Sequence, residues 1–231
     1  MNTKITIAID GFSSTGKSTL AKQLAKELGY IYVDTGAMYR AVAYFAMQNG
    51  LITKENFDKT ALIATLPSIQ LSFQFNESLG YAEMFLNQKN VENEIRTIAV
   101  SNFVSKVAEV SEVRSKLVEQ QQEMGKNKGI VMDGRDIGTV VFPEAELKIF
   151  MTASAETRAQ RRFDELKEKG DEVSYEAVLH NVMERDHIDT HREDSPLVIA
   201  EDAIEIDNSY LNKKEQFDIV FDLVQDAIKA V

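Results

Sequence analysis

The stretch Ile5-Thr6-Ile7-Ala8-Ile9-Asp10-Gly11-Phe12-Ser13-Ser14-Thr15-Gly16-Lys17-Ser18-Thr19-Leu20 decides the fold. Gly11 to Ser18 has the G-x-x-x-x-G-K-[ST] spacing of a phosphate-binding loop, which carries that meaning only between a strand and a helix. Both are present. Lys4 to Ile9 alternates and then runs apolar, as a short buried strand of a parallel sheet does. Beyond the loop Leu20, Leu24 and Leu28 recur at helical spacing, Lys22, Lys26 and Glu27 fall on other faces, and Gly29 is a stop signal. A helix is therefore expected from about Lys17.

In that setting main-chain N–H groups and the positive end of the helix converge on one small volume. It suits the β- and γ-phosphates of a nucleoside triphosphate. Gly11 and Gly16 allow backbone angles and a close approach that a Cβ would obstruct. Lys17 reaches the phosphates, Ser18 is placed to ligate Mg²⁺, and Thr19 adds a phosphate contact. Phe12, Ser13, Ser14 and Thr15 complete the nucleotide-binding segment. The expected fold class is α/β, a P-loop NTPase whose parallel sheet is flanked by helices.

The 231 residues suffice for one α/β domain with a sizeable core. A hydrophobic share of 44% and a charged share of 27% are those of an ordinary globular protein, and no apolar run approaches a membrane span. Met1-Asn2-Thr3-Lys4 leads straight into the first strand and leaves no room for a secretion signal, so a cytoplasmic location is expected. Cysteine is absent, which removes disulfides, thiolate metal sites and a cysteine nucleophile. A net charge of −11 argues against nucleic acid as a partner, whereas a small anion needs only a local cluster of arginines. The chain is expected to act as a monomer, with neither nucleic acid nor membrane as partner.

Tyr30 to Val33 reads as a second strand and Ala37 to Gln48 as a helix, the βα rhythm of a parallel sheet. Asn56 to Leu66 reads as a short helix. Ile69 to Phe75 then alternates strictly, Asn76 to Gly80 is turn-like and Tyr81 to Leu86 pairs back, which gives a small antiparallel insert at about 67–90. Helices are expected over Glu94–Val110 and Ser111–Met124, and a buried strand over Gly129–Met132. Leu147–Met151 is a further strand, Ala155–Lys169 and Ser174–His191 are helices, and a strand at Ala203–Ile206 and a helix at Lys213–Ala230 complete the chain.

Ligands of open parallel sheets bind beyond the carboxyl ends of the strands. Asp34-Thr35-Gly36, with Tyr39 and Arg40, follows the second strand, where Arg40 could hold a phosphate or simply be exposed on a capped helix. Asp133-Gly134-Arg135-Asp136 follows a buried strand and has no obvious packing purpose, the plain alternative being a polar turn with a local Arg-Asp pair. Asp133 has the location of a carboxylate that holds Mg²⁺, directly or through water, and Arg135 can stabilise phosphate charge. Arg185, Asp189 and Arg192 fall on one helix face, a pattern that ordinarily makes a solvated salt-bridge ladder. Arg158, Arg161 and Arg162 share another face, where Glu165 and Glu168 can neutralise them or a triphosphate can be covered. His187 and His191 are four apart, but Ile188 stands where a metallopeptidase helix needs glutamate, so they read as surface residues. The only other histidine is His180. A phosphate monoester acceptor, with a second pKa of about 6, is already largely dianionic at neutral pH and needs no base. Alignment and neutralisation of charge would then suffice.

Assembled in order, five signatures resemble the bacterial cytidylate kinases of the nucleoside monophosphate kinase family. They are Gly11 to Thr19, Asp34-Thr35-Gly36-Ala37-Met38-Tyr39-Arg40, Glu94-Ile95-Arg96-Thr97, Asp133 through Pro143, and Glu184-Arg185-Asp186 through Pro196-Leu197. The resemblance runs from the first strand to about Asp207. It implies phosphorylation of CMP and dCMP by ATP with Mg²⁺, in a single domain of residues 1–231. That domain would comprise a core, a monophosphate-binding insert at about 60–110 and a helical lid at about 155–171. Carried over by residue, it implies that Ser105, Arg114 and Asp136 read the cytosine, that Arg185 and Asp189 hold the sugar, and that Arg40, Arg135 and Arg192 neutralise phosphate oxygens. Thr35, Tyr39 and Gly134 join the substrate set, and Lys17, Arg135, Arg192, Arg158 and Arg162 the catalytic one. Ser18 and Asp133 are the implied metal ligands. Phe12 and Ser14 stand where the family often has proline and glycine, and Thr35 where many members have serine; none of these removes a phosphate or metal group. A kinase for another small acceptor is the alternative. A guanine-nucleotide switch is a further one, but it needs Asn-Lys-x-Asp, which Asn212-Lys213-Lys214-Glu215 misses at its last residue.

Overall fold

In the computed structural model, which describes residues 3–78 and 80–231, the strand, loop and helix that open the chain are in place. Met1 and Asn2, and Leu79 within the turn expected at Asn76–Gly80, lie outside the described residues. Two compact units are distinguished: the residues up to Val33 together with Met124–Val231, and Asp34–Glu123.

The first unit is built on a five-stranded sheet. In chain order its strands are β1 (Thr6–Gly11), β2 (Ile31–Asp34), β6 (Ile130–Asp133), β7 (Leu147–Thr152) and β8 (Ile204–Asp207). Their spatial order is β2-β6-β1-β7-β8; β1 runs parallel to β6 and β7, and β7 parallel to β8. Every residue of β1 and β6 is buried, as in strands of a parallel sheet covered on both faces. α1 (Lys17–Leu28) lays Leu20, Ala21, Leu24 and Ala25 on Ile5, Ile7 and Ile9, a cluster that also takes Val220 and Val224 of α8 (Lys213–Lys229). A buried leucine in such a cluster is worth about 2–5 kcal/mol against alanine. α6 (Ala155–Glu168) and α7 (Tyr175–His191) pack on one another, each started by a serine cap, Ser154 and Ser174. An α/β architecture with a parallel sheet and flanking helices is thus what the chain adopts.

The second unit holds α2 (Thr35–Gln48), α3 (Lys59–Thr65), α4 (Ile98–Ala108), most of α5 (Ser111–Gly125), and a three-stranded sheet of β3 (Leu71–Asn76), β4 (Tyr81–Leu86) and β5 (Lys89–Asn90). α2 packs against α4 and β4. Three sequence expectations are corrected here. The helix expected from Asn56 starts only at Lys59, because the Asp58 carboxylate caps it by accepting from Ala61 N. The helix expected over Glu94–Val110 is split into a short 3₁₀ turn, Glu94–Arg96, and α4, because Thr97 turns its side chain to Val100 N and stays extended. Strand β5 was not expected. It follows a two-residue hairpin at Asn87 and Gln88, both at positive φ (47° and 68°), where a glycine would have been the usual signal.

Candidate active site

The phosphate loop leaves β1 at Gly11, whose φ is 137° and where a Cβ would meet Met151 O at 2.0 Å, so no other residue fits. Gly16, at φ 88°, is the cap residue of α1 and brings no side chain to the first helical N–H groups. Ser14 adopts φ 59°, a left-handed angle that glycine takes more readily than serine. The Phe12 ring stands edge-on to Phe150 at 6.0 Å and under the Arg158 guanidinium at 5.0 Å, which holds the loop from outside.

Inside the loop, Lys17 is buried and donates to Phe12 O at 2.6 Å. Burial, and then the nearby Arg135 charge, push its pKa down to about 7, against the opposing pull of Asp133 and Asp10. Ser18 Oγ donates to Asp133 Oδ2 at 2.9 Å, and Tyr32 Oη donates to Asp133 Oδ1 at 2.8 Å. The two residues expected to hold a metal are therefore in contact, 115 positions apart in sequence.

After Asp133, Gly134 N continues the strand pairing by donating to Ile9 O at 3.0 Å. Arg135 Nε donates to Asp189 Oδ2 at 2.8 Å. Asp136 is buried and leads into a single π-helical turn, Ile137–Val141. Arg185, Asp189 and Arg192 correct the solvated-ladder reading: all three are buried, and Arg192 lies one residue beyond the helix with Nε on Ser195 O at 2.7 Å. Burial, and then Arg135, lower the Arg185 pKa to about 10. Burial alone would raise Asp189, but Arg135, Arg185 and Arg192 hold its carboxyl below the usual range.

The arginines of α6 part company. Arg158 is buried, donating to Ala153 O at 2.9 Å and to both Asp186 oxygens at 3.0 and 2.5 Å. Arg161 is tied to Asn208, whose side chain in turn donates to Thr15 O at 2.5 Å. Arg162 pairs with Glu165 at 2.9 Å, and its charge reaches Arg185. Asp186 and Asn208 were missed as supports of the loop; nothing local in sequence marks either. His187 and His191 are exposed, as expected, and no group of three His, Asp or Glu among the described residues could hold a metal.

Within the second unit, Asp34 caps α2 by accepting from Ala37 N at 2.9 Å, and Thr35 is buried in the first turn. Tyr39 is buried under the Arg114 guanidinium at 5.4 Å, and Arg114 donates to Ala108 O at 3.2 Å. Ser105 is buried on α4, and Arg40 acts on Asp34 as a neighbouring charge.

A family model described as cytidylate kinase matches residues 7–226. This chain belongs to the cytidylate kinase family. A protein named cytidylate kinase from Flavobacterium johnsoniae is 81% identical over 226 residues, 98% of each chain. Cytidylate kinases of Flavobacterium psychrophilum and Phocaeicola vulgatus are 72% and 60% identical, over 96% and 92% of this chain and 99% and 93% of their own. No helix is long and apolar enough to cross a membrane among the described residues.

Proposed function

We propose that this member of the cytidylate kinase family transfers the γ-phosphoryl group of ATP to CMP and dCMP, giving CDP and dCDP. The observation that carries the reading is the cationic group of buried Lys17 and Arg185 with half-buried Arg135, in a chain of net charge −11. Lys17 and Arg185 are held below their ordinary pKa by burial and by like charge, an arrangement that a polyanionic ligand relieves.

The loop fits a triphosphate. Ser13 Oγ is buried there and makes no hydrogen bond among the described residues, and the first N–H groups of α1 meet no side-chain cap. Ser18 and Asp133 are a hard oxygen pair of the kind Mg²⁺ takes, and that ion would neutralise phosphate charge. On this reading residues 11–19 bind ATP in a P-loop NTPase core. Arg40, Arg135 and Arg192 neutralise phosphate oxygens, and Arg185 with Asp189 holds the sugar. Arg158 and Arg162 belong to a lid at about 155–171 that excludes water. Ser105 and Arg114 supply base-reading groups from the insert, Thr35 and Tyr39 join the substrate set, and Asp136 accepts from the exocyclic amine of cytosine. Uracil presents a carbonyl there and would set two acceptors face to face. The protein acts as a cytoplasmic monomer.

A hydroxyl acceptor would need a general base. Burial lifts Asp10 to about 7, a value a base would have, but its two oxygens accept Ile137 N and Gly138 N at 2.8 and 2.7 Å. A phosphate acceptor needs no such group. ADP release should be fast with CMP and dCMP, slower with UMP and negligible with AMP or GMP; release that ignores the acceptor would end the proposal.

A further inference from the structure

Asp10 precedes the phosphate loop, and no nucleotide-binding spacing includes it. It is buried near the end of β1, directly before Gly11, and it makes no salt bridge among the described residues. Each oxygen accepts one main-chain N–H: Oδ1 from Ile137 at 2.8 Å and Oδ2 from Gly138 at 2.7 Å. Those two residues open the π-helical turn that follows Asp136. The carboxylate therefore spans 127 positions of sequence, from the strand that carries the loop to the turn that directly follows Arg135 and Asp136.

A buried carboxylate is costly unless its hydrogen bonds are good, and π-helical turns are uncommon outside functional sites. Burial raises the Asp10 carboxyl to about 7, against the pull of the two N–H groups and of Lys17. A neutral acceptor would avoid that cost. Only an ionised carboxylate offers strong acceptors to two successive N–H groups at once, with their spacing fixed. We infer that Asp10 is a positioning residue for base selection, which fixes Asp136 at the distance from the phosphate loop at which the acceptor's pyrimidine is read. The inference rests on the role given to Asp136 above.

The test is the ratio of kcat/KM for CMP over UMP at saturating ATP. In Asp10→Asn the amide NH₂ faces one of the two N–H groups, donor against donor, so the turn must shift. The ratio should fall about tenfold, as small displacements of positioning groups do. A purely structural role would instead lower the fraction folded and scale both acceptors alike, leaving the ratio as it is. Gly138→Ala is the gentler variant: its Cβ would lie 3.4 Å from Asp10 Oδ2 and 3.2 Å from the Lys148 stem, nudging the carboxylate without removing it. Its ratio should fall in the same direction by less. Asp136→Ala serves as the reference. If it loses discrimination while both Asp10→Asn and Gly138→Ala keep the wild-type ratio, the role of Asp10 is wrong and that of Asp136 stands. If Asp136→Ala itself keeps the ratio, both roles fall together. Should Asp10→Asn fail to fold, Gly138→Ala with an unchanged ratio is enough to overturn the inference.

Discussion

The two units treat buried charge differently. In the unit of Asp34–Glu123, Arg96 donates to Asp34 at 2.8 Å and to Glu92 at 2.6 and 3.0 Å, while the remaining carboxylate oxygens accept Ala37 N and Met84 N. Burial opposes the charge of Asp34, but Arg96 and then Arg40 more than offset it and hold the carboxyl below its ordinary value; Arg96 is likewise held above its own. In the phosphate-loop unit Arg135 and Asp189 likewise hold each other charged, but three other groups shift the other way. Lys17 falls to about 7, Arg185 to about 10, and Asp10 rises to about 7. The first set is complete within the protein and serves the fold; in the second, Lys17 and Arg185 stay buried in the company of like charge.

The sharpest way to break this contrast is Lys17→Ala. Turnover should drop about a thousandfold, as when a transition-state donor is removed, while the thermal midpoint does not fall. A variant that loses activity and stability together would place Lys17 with the structural charges. Next comes Arg96→Met, which leaves Asp34 and Glu92 buried without their partner. Removing one member of a buried pair costs about 3–5 kcal/mol, and the 27% exposure of the Arg96 side chain reduces this to about 2–3, measurable by urea unfolding. The same network predicts a pH dependence. With Asp34 held below its ordinary 3.8, its contribution is complete above that value and is lost as the pH falls through the lowered one. Asp34→Asn should therefore flatten the stability profile below about pH 4; an unchanged acid limb would show that other carboxylates govern it. The smallest effect is Tyr32→Phe, which removes the hydrogen bond to Asp133 Oδ1. Mg²⁺-dependent ATP affinity should weaken about fivefold by calorimetry, with Mg²⁺-free affinity unchanged.

Legibility in the sequence followed the range of the interactions. The loop at residues 11–19, the strand before it and the helix after it were readable because each depends on contiguous residues. β4, over Tyr81–Leu86, was readable to the residue for the same reason. Boundaries set by a single side chain, at Asp58 and Thr97, were not. The stripe of Arg185, Asp189 and Arg192 was read as one helix face and wrongly as a solvated one, since spacing fixes a face but not what covers it.

What the sequence determined by itself was the local chemistry: glycines where a Cβ cannot stand, a lysine and a serine at the head of a helix, and the family whose signatures the chain repeats in order. What only the tertiary structure decided was which charges lose their water and whom they meet. Ser18 finds Asp133, Arg135 finds Asp189 and Asp10 finds the turn at Ile137 across 115, 54 and 127 positions. Backbone conformation answers to near neighbours, whereas the energy of a charge answers to burial, and burial belongs to the packed chain.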